Sequence, residues 1–331
     1  MFRRGLGLGQ KDILRLDNVV KILGDTVVLY DVDLSVREGE VFGIIGSSGC
    51  GKTTLMRTMV GFFVPERGEV LVRSEVVPGQ QHQLYTRVNR FPELVKRSFG
   101  FASQHPSIYM ELTVEENIEY FASLYGLARE QWERTADLLL ELLDLDHARK
   151  TLGKNLSGGM QRRLDITCAM IHKPKLLILD EPTADLDPFL RRHIWEMIHK
   201  IAEQGTTIVV SSHSLADVEM LCDRVAVMHK GRVLDVNSPQ AIKEAYITSE
   251  RISLQTYPGR YTQVVDYLSD GFISDVYQEG QELIITTSDV QESMQTVLGA
   301  VRACEEELTS IRVLSGTLDE AFLQLTEARK K

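Results

Sequence analysis

The chain has 331 residues, of which 43% are apolar and 25% charged, with a formal net charge of −10. That is enough chain for two domains and a sizeable core, and the acidic balance argues against a general nucleic-acid binder, so no nucleic-acid partner is expected. No apolar run approaches the ~18–20 residues of a membrane-spanning helix. The four cysteines (Cys50, Cys168, Cys222, Cys304) form no C-x-x-C pair, which points to a reducing compartment without a disulfide framework or a zinc site.

Residues 1–12 open with two arginines and no apolar segment, and read as a flexible tail rather than a secretory signal. Ile13–Val20 and Val27–Val36 read as strands; the second alternates apolar and polar residues and suits an antiparallel edge sheet. Val41, Phe42, Ile44 and Ile45 form a short buried strand that Gly46, Gly49 and Gly51 break into a loop. A helix opens at Lys52, with Leu55, Met56, Met59 and Val60 at helical spacing. Gly46 to Thr53 fits G-x-x-x-x-G-K-[ST], the phosphate-binding loop. Glycines let successive N–H groups turn inward toward phosphate oxygens, and the helix N-terminus adds partial positive charge. Lys52 can reach the β- and γ-phosphates, and the Thr53 hydroxyl can ligate Mg²⁺. Cys50 sits in this loop beside the helix N-terminus, a setting that lowers a thiol pKa; a small residue that simply fits there is the alternative.

Pro65–Val72 is a turn followed by a strand, and residues 73–96 show no clear period. Arg87, Arg90 and Lys96 lie close together there, on a long solvated hairpin loop or a basic arm that touches a partner or lipid headgroups. Ser98–Tyr109 reads as a short strand running into a loop at Gln104. Thr113 and Glu116 fit a capping box, ahead of an apolar stripe at Ile118, Phe121, Ala122 and Tyr125. Gln131–Leu143 is a second helix, with Leu138, Leu139, Leu142 and Leu143 expected in the core.

Leu156–Gln161 places a glycine pair at a helix N-terminus, again an anion site, and the helix runs to about Ile171. Lys175–Glu181 is a buried strand ending in two carboxylates, expected to point to opposite sides of the strand. Asp187 can cap the next helix, with Pro188 at its first position. Thr206–Val210 is a further strand, delivering Ser211, Ser212 and His213 to its C-terminal end, where open α/β sheets bind ligands. Val225–Met228 and Arg232–Val236 form a hairpin. Beyond a composition change near 242–249 the order is β-α-β-β-α-β, with a last helix at Leu318–Leu325, which matches a split βαβ, ferredoxin-like unit.

These motifs together resemble the nucleotide-binding subunit of an ATP-binding cassette (ABC) transporter. Besides the phosphate loop, Gln104 resembles the Q-loop glutamine, LSGGM at Leu156–Met160 the family signature (normally LSGGQ), and LLILDEP at Leu176–Pro182 the Walker B strand. TADLDP resembles the D-loop, and VSSHS places His213 as the switch histidine. The resemblance spans about Leu14 to Ser238. The tail, Leu308–Thr326, and Glu111–Leu127 resemble ATPases that serve daunorubicin-resistance-type exporters, whereas SSGCGKTT looks more like importer sequences.

The resemblance implies an α/β P-loop ATPase core with an antiparallel β-subdomain and a helical signature subdomain at about 111–170, together spanning 13–241. A small α+β domain at 242–331 follows. It implies ATP and Mg²⁺ as cofactors, with Gly46, Ser47, Ser48, Gly49, Cys50, Gly51, Lys52, Thr53 and Thr54 around the nucleotide. Thr53, Gln104 and Asp180 would serve Mg²⁺. Glu181 would orient or deprotonate the attacking water, and His213 would contact the γ-phosphate and that carboxylate. Ser157, Gly158 and Gly159 would close on ATP held by a second subunit, most simply a second copy of this chain. Leu23 stands where the family has an aromatic residue stacking on adenine; either it packs on the base or an aromatic such as Tyr30 substitutes. With no spanning segment here, the implied transporter has a separate permease chain, with this subunit on the cytoplasmic face of the membrane. An exporter motor is the leading reading. An importer subunit or a soluble ABC-type ATPase are the alternatives, the latter weakened by the lack of long coiled coils or a second cassette.

Overall fold

A computed structural model of the protein describes residues 11–73, 85–90, 96–184, 186–247, 249–268, 271–314 and 316–328. The chain divides into two compact units, 1–239 and 240–331. The tail at 1–10 lies outside the described residues, as does much of the segment at 73–96.

In the first unit, β1 (Asp12–Leu23) and β2 (Thr26–Arg37) form a hairpin, with Leu23 opposite Thr26. β4 (Arg67–Arg73) and β5 (Tyr85–Arg87) extend it into an antiparallel sheet of order β2-β1-β4-β5. β2 alternates from Asp31 onward, with Val32, Leu34 and Val36 buried while Asp31 and Asp33 face out; Leu29, also buried, lies on the other side of a phase shift at Asp31, which takes φ 47°. Arg87 belongs to a strand, so its stretch of the 73–96 segment is paired sheet and not open loop.

The second sheet is six-stranded. It contains β3 (Val41–Gly46), β6 (Phe99–Ala102), β7 (Leu176–Leu179), β8 (Thr207–Ser212), β9 (Arg224–His229) and β10 (Arg232–Asn237), in the order β10-β9-β3-β8-β7-β6. All neighbours pair parallel except β9 and β10. Every residue of β3, β7 and β8 is buried, as expected for parallel strands covered on both faces. One core joins the two sheets, with Leu14 and Leu29 packed with Phe42, Ile44, Ile178 and Val209, and with Leu55, Met56 and Met59 of α1 (Lys52–Met59).

Three helices follow β6: α2 (Val114–Leu124), α3 (Arg129–Leu142) and α4 (Gly158–Met170). The capping box at α2 is formed: Glu116 N–H donates to Thr113 Oγ1 and Thr113 N–H donates to the Glu116 carboxylate. In α3 the buried stripe is Trp132, Thr135, Ala136, Leu139 and Leu140, continuing to Leu143. Leu138, expected in the core, is instead 65% exposed. At about 100° per residue, positions 135, 136, 139, 140 and 143 fall on the same side of the helix as Trp132, whereas 138 lies roughly 120° round from it. Two further helices are α5 (Pro188–Glu203), capped by the Asp187 carboxylate, and α6 (Leu215–Leu221).

In the second unit, α7 (Pro239–Tyr246) opens at the boundary, where the sequence had shown only a change of composition. Then come β11 (Glu250–Tyr257), α8 (Tyr261–Tyr267), β12 (Ile273–Glu279), β13 (Glu282–Thr287), α9 (Val290–Ala303), β14 (Glu307–Leu314) and α10 (Leu318–Ala328). The sheet order is β12-β13-β11-β14, antiparallel throughout. Ile252, Leu254, Leu283 and Ile285 pack with Val264 of α8 and with Val297, Ala300 and Val301 of α9. β12 and β14 are the sheet's edges, and β14 exposes Leu308, Val313 and Leu314.

Candidate functional site

The phosphate loop lies at the C-terminal end of β3, between a fully buried strand and a helix that starts at Lys52. Two glycines there are sterically required. Gly51 precedes α1 at φ 109°, in the left-handed region. A Cβ on Gly46 would sit 2.5 Å from the Met228 carbonyl oxygen and 2.6 Å from Cys50 Sγ. Lys52 is buried, and its Nζ donates to the Gly46 carbonyl at 2.9 Å, so the ammonium is held at the mouth of the loop.

Across from the loop, β7 ends at Leu179, and Asp180 and Glu181 lie just beyond it. Their side chains diverge, although not through strand alternation: Glu181 takes φ 48° and turns the chain out of the strand direction. Asp180 is buried, and its Oδ1 accepts from Ser211 Oγ at 2.7 Å. The same Ser211 oxygen accepts the Glu181 N–H at 2.8 Å. Glu181 Oε1 lies 3.4 Å from Lys52 Nζ, and Oε2 lies 2.6 Å from His213 Nδ1. An ionised carboxylate can only accept, so His213 Nδ1 is the donor.

Ser48, Gly49, Gly51, Lys52, Thr53, Thr54, Gln104, Glu181 and His213 line one cleft of about 360 Å³, together with Val28 and Ala184. A cation, a hydroxyl, a side-chain amide, a carboxylate and an imidazole thus converge at a helix N-terminus. That set suits a polyphosphate and a water poised beside its last phosphorus.

Other expected residues lie elsewhere. Ser157 is the N-cap of α4, its Oγ accepting the Met160 N–H at 3.3 Å; Ser157 and Gly158 are exposed, Gly159 is buried, and none of the three lines this cleft. Leu23 is 38% exposed at the hairpin tip and is also absent from the lining. Tyr30 is likewise absent from the lining, and its ring faces the Arg232 guanidinium, 5.1 Å from the centroid. The β2 residue at the cleft is Val28, missed because nothing in the sequence sets it apart from its neighbours. Cys50 also departs from expectation. It is buried, and desolvation pushes its thiol pKa up, outweighing the loop's positive groups. Ser211, which ties both carboxylates to β8, was visible only as a serine at a strand end.

Residues 29–184 match the ABC transporter family. The chain is 31% identical over 318 residues to the Nod factor export ATP-binding protein I of Rhizobium sp. (strain N33), covering 96% of this chain and 97% of that protein. It is 28% identical over 316 residues to the linearmycin resistance ATP-binding protein of Bacillus subtilis (strain 168), covering 95% of this chain and 98% of that protein. A solved ATP-binding subunit of an ABC transporter superposes with a TM-score of 0.62 at 29% identity, over 71% of this chain and 93% of that one.

Proposed function

This chain belongs to the ABC transporter family as an ATP-binding and ATP-hydrolysing subunit, and from that premise we propose that it is the motor of an exporter of drugs, lipids, ions or similar cargo whose membrane pathway is a separate permease chain. The observation that carries this reading is the convergence of Lys52, Gln104, Glu181 and His213 on one phosphate-loop cleft. Relatives that match along nearly the whole chain, accessory unit included, are named for Nod factor export and for linearmycin resistance. No helix among the described residues is long and apolar enough to cross a membrane, consistent with peripheral attachment at the cytoplasmic face through the permease.

The loop from Gly46 to Thr54 and the α1 N-terminus hold the phosphates, with Lys52 supplying the point charge at the β- and γ-groups. Thr53 by its hydroxyl, Gln104 by its amide oxygen and Asp180 by its carboxylate, through water, would hold Mg²⁺, an all-oxygen donor shell of the kind that ion prefers. Among the described residues no three His, Cys, Asp or Glu side chains cluster, and such a shell needs none. When bound, the ion would neutralise charge on the terminal phosphates. Glu181 takes a proton from the attacking water or orients it, and His213, whose Nδ1 holds Glu181 Oε2 at 2.6 Å, contacts the γ-phosphate and that carboxylate.

Ser157, Gly158 and Gly159 present an exposed helix N-terminus outside their own chain's cleft. We assign them to the cleft of a second subunit, which makes the working unit a dimer with two ATPs at a two-fold interface. A homodimer is the simplest form, since one chain carries every hydrolytic residue. The permease would dock near Gln104. The first unit (13–241 by sequence) is the ATPase. The second (242–331) is read as a ferredoxin-like accessory domain, a reading supported by its β-α-β-β-α-β order and its 12-13-11-14 antiparallel sheet.

The test compares wild type with Glu181→Gln for ATP turnover and ATP-dependent dimerisation. Hydrolysis by wild type, with a stable ATP-bound dimer in the variant, is the expected result. A variant that hydrolyses ATP at the wild-type rate would remove Glu181 from the reaction.

A further inference from the structure

Arg162 and Asp165 lie one turn apart on α4, both almost fully buried at 5% and 3% exposure. A guanidinium that deep must have its N–H groups matched. Its Nε donates to the Pro182 carbonyl at 2.9 Å, and Nη2 donates to the Glu181 carbonyl at 2.8 Å and the Asp180 carbonyl at 3.2 Å. Nη1 donates to the Ser103 carbonyl and to Asp165 Oδ2. The other Asp165 oxygen, Oδ1, accepts the Ser107 N–H at 2.8 Å.

Three segments therefore meet on one ion pair: 180–182, with the two carboxylates; 103–107, with Gln104; and α4, with Ser157 at its exposed end. The carbonyls of 180, 181 and 182 all point to one guanidinium. Successive carbonyls of an extended strand alternate in direction and could not do so. They converge because Glu181 adopts φ 48°. That left-handed conformation is unfavourable for a non-glycine residue and persists where surrounding contacts over-determine it. The guanidinium supplies those contacts, and the same conformation aims the Glu181 carboxylate at Lys52 and His213.

We propose that Arg162 is a positioning residue for hydrolysis: it locks the Asp180–Pro182 turn in the conformation that aims Glu181 and, with Asp165, ties that turn to the Gln104 segment and to the α4 N-terminus. The proposal rests on the assignment of Glu181 as the hydrolytic carboxylate. Neither Arg162 nor Asp165 lines the cleft, so nucleotide binding should be spared while turnover is lost.

The full-length chain is assayed as wild type, Glu181→Gln, Arg162→Lys, Asp165→Asn and the double variant Arg162→Lys/Glu181→Gln. Steady-state and single-turnover ATPase rates are scaled to sites that bind a fluorescent ATP analogue, so partial unfolding does not count as lost catalysis. Lysine keeps the charge but cannot span the carbonyls that the planar fork reaches. Arg162→Lys is expected to lower kcat at least tenfold, with KM and analogue affinity within threefold. In the Glu181→Gln background the same change should cost less than twofold, because a residue acting through Glu181 has nothing left to position. Asp165→Asn should lower kcat three- to tenfold at unchanged KM, and it decides the question if Arg162→Lys does not fold. An inactive Glu181→Gln beside an Arg162→Lys or Asp165→Asn variant with kcat within twofold of wild type would overturn the proposal. So would equal losses from Arg162→Lys in both backgrounds. A fully active Glu181→Gln would instead overturn the assignment of Glu181 itself.

Discussion

Ser211→Ala deletes one oxygen at a position with no solvent exposure, where it joins the end of β7 to β8. The hydroxyl donates to Asp180 Oδ1 at 2.7 Å and accepts from Glu181 N–H at 2.8 Å. Alanine leaves a backbone donor unsatisfied, at a cost of about 1–3 kcal/mol, and removes a hydrogen bond to a charged group that contributes about 1.5–3 kcal/mol. The vacated space is about one hydroxyl, which gives a replacement water little room. The expected loss is therefore about 2.5–6 kcal/mol, a large part of an ordinary domain's stability of roughly 5–15 kcal/mol. The chain's two tryptophans, Trp132 and Trp195, both lie in the first unit, so urea unfolding followed by their fluorescence reports that unit alone. The variant should also need more Mg²⁺ for half-maximal ATPase, since Asp180 loses the contact that orients it. A stability change below about 1 kcal/mol together with an unaltered Mg²⁺ requirement would refute the reasoning.

Other outcomes follow from the same geometry. Leu23→Ala should leave the affinity for a fluorescent ATP analogue within twofold, whereas Val28→Asp should weaken it at least tenfold, because only Val28 borders the cleft. Iodoacetamide should label Cys304, which is partly exposed, before Cys50, Cys168 and Cys222, which are buried; peptide mass spectrometry at intervals would give the order. Burial lowers the His172 pKa from 6.5 to about 4: its ring stacks on Tyr125 and its Nε2 donates to the Phe99 carbonyl, while Nδ1 is buried without a partner. The unfolded chain binds that proton first, so the contribution of His172 is full above pH 6.5 and is lost as pH falls toward 4, by about 3 kcal/mol in all. Asp165, raised by burial to about 6, acts in the opposite sense across part of the same window. The difference in urea midpoints between wild type and His172→Gln therefore isolates the histidine.

The parts of the site that could be read from sequence are those whose partners are close in the chain. The phosphate loop runs without interruption from β3 into α1, so spacing alone conveys its chemistry. The helix caps at Thr113 and Asp187 are likewise local. Ser211 bonds across 30 and 31 residues, and Arg162 reaches back 59 residues to Ser103 and forward 20 to Pro182. No local pattern distinguishes such a residue from an ordinary serine or helix-surface arginine. The Cys50 thiol differs from its sequence-based expectation for a related reason: the helix N-terminus is visible in the sequence, but the packing that desolvates the thiol is not. In α3, a run of leucines fits more than one helical phase, and only the contacts of Trp132 and Leu140 select the one adopted.

The open edge of the accessory sheet bears on how fragments of this protein will behave. Among the described residues β14 pairs on one side only, and it displays Leu308, Val313 and Leu314, with no proline or lysine along it. Such an edge is a template for another strand. A fragment containing only residues 240–331 should self-associate as its concentration rises, and a charge on that edge, as in Val313→Lys, should keep it dispersed.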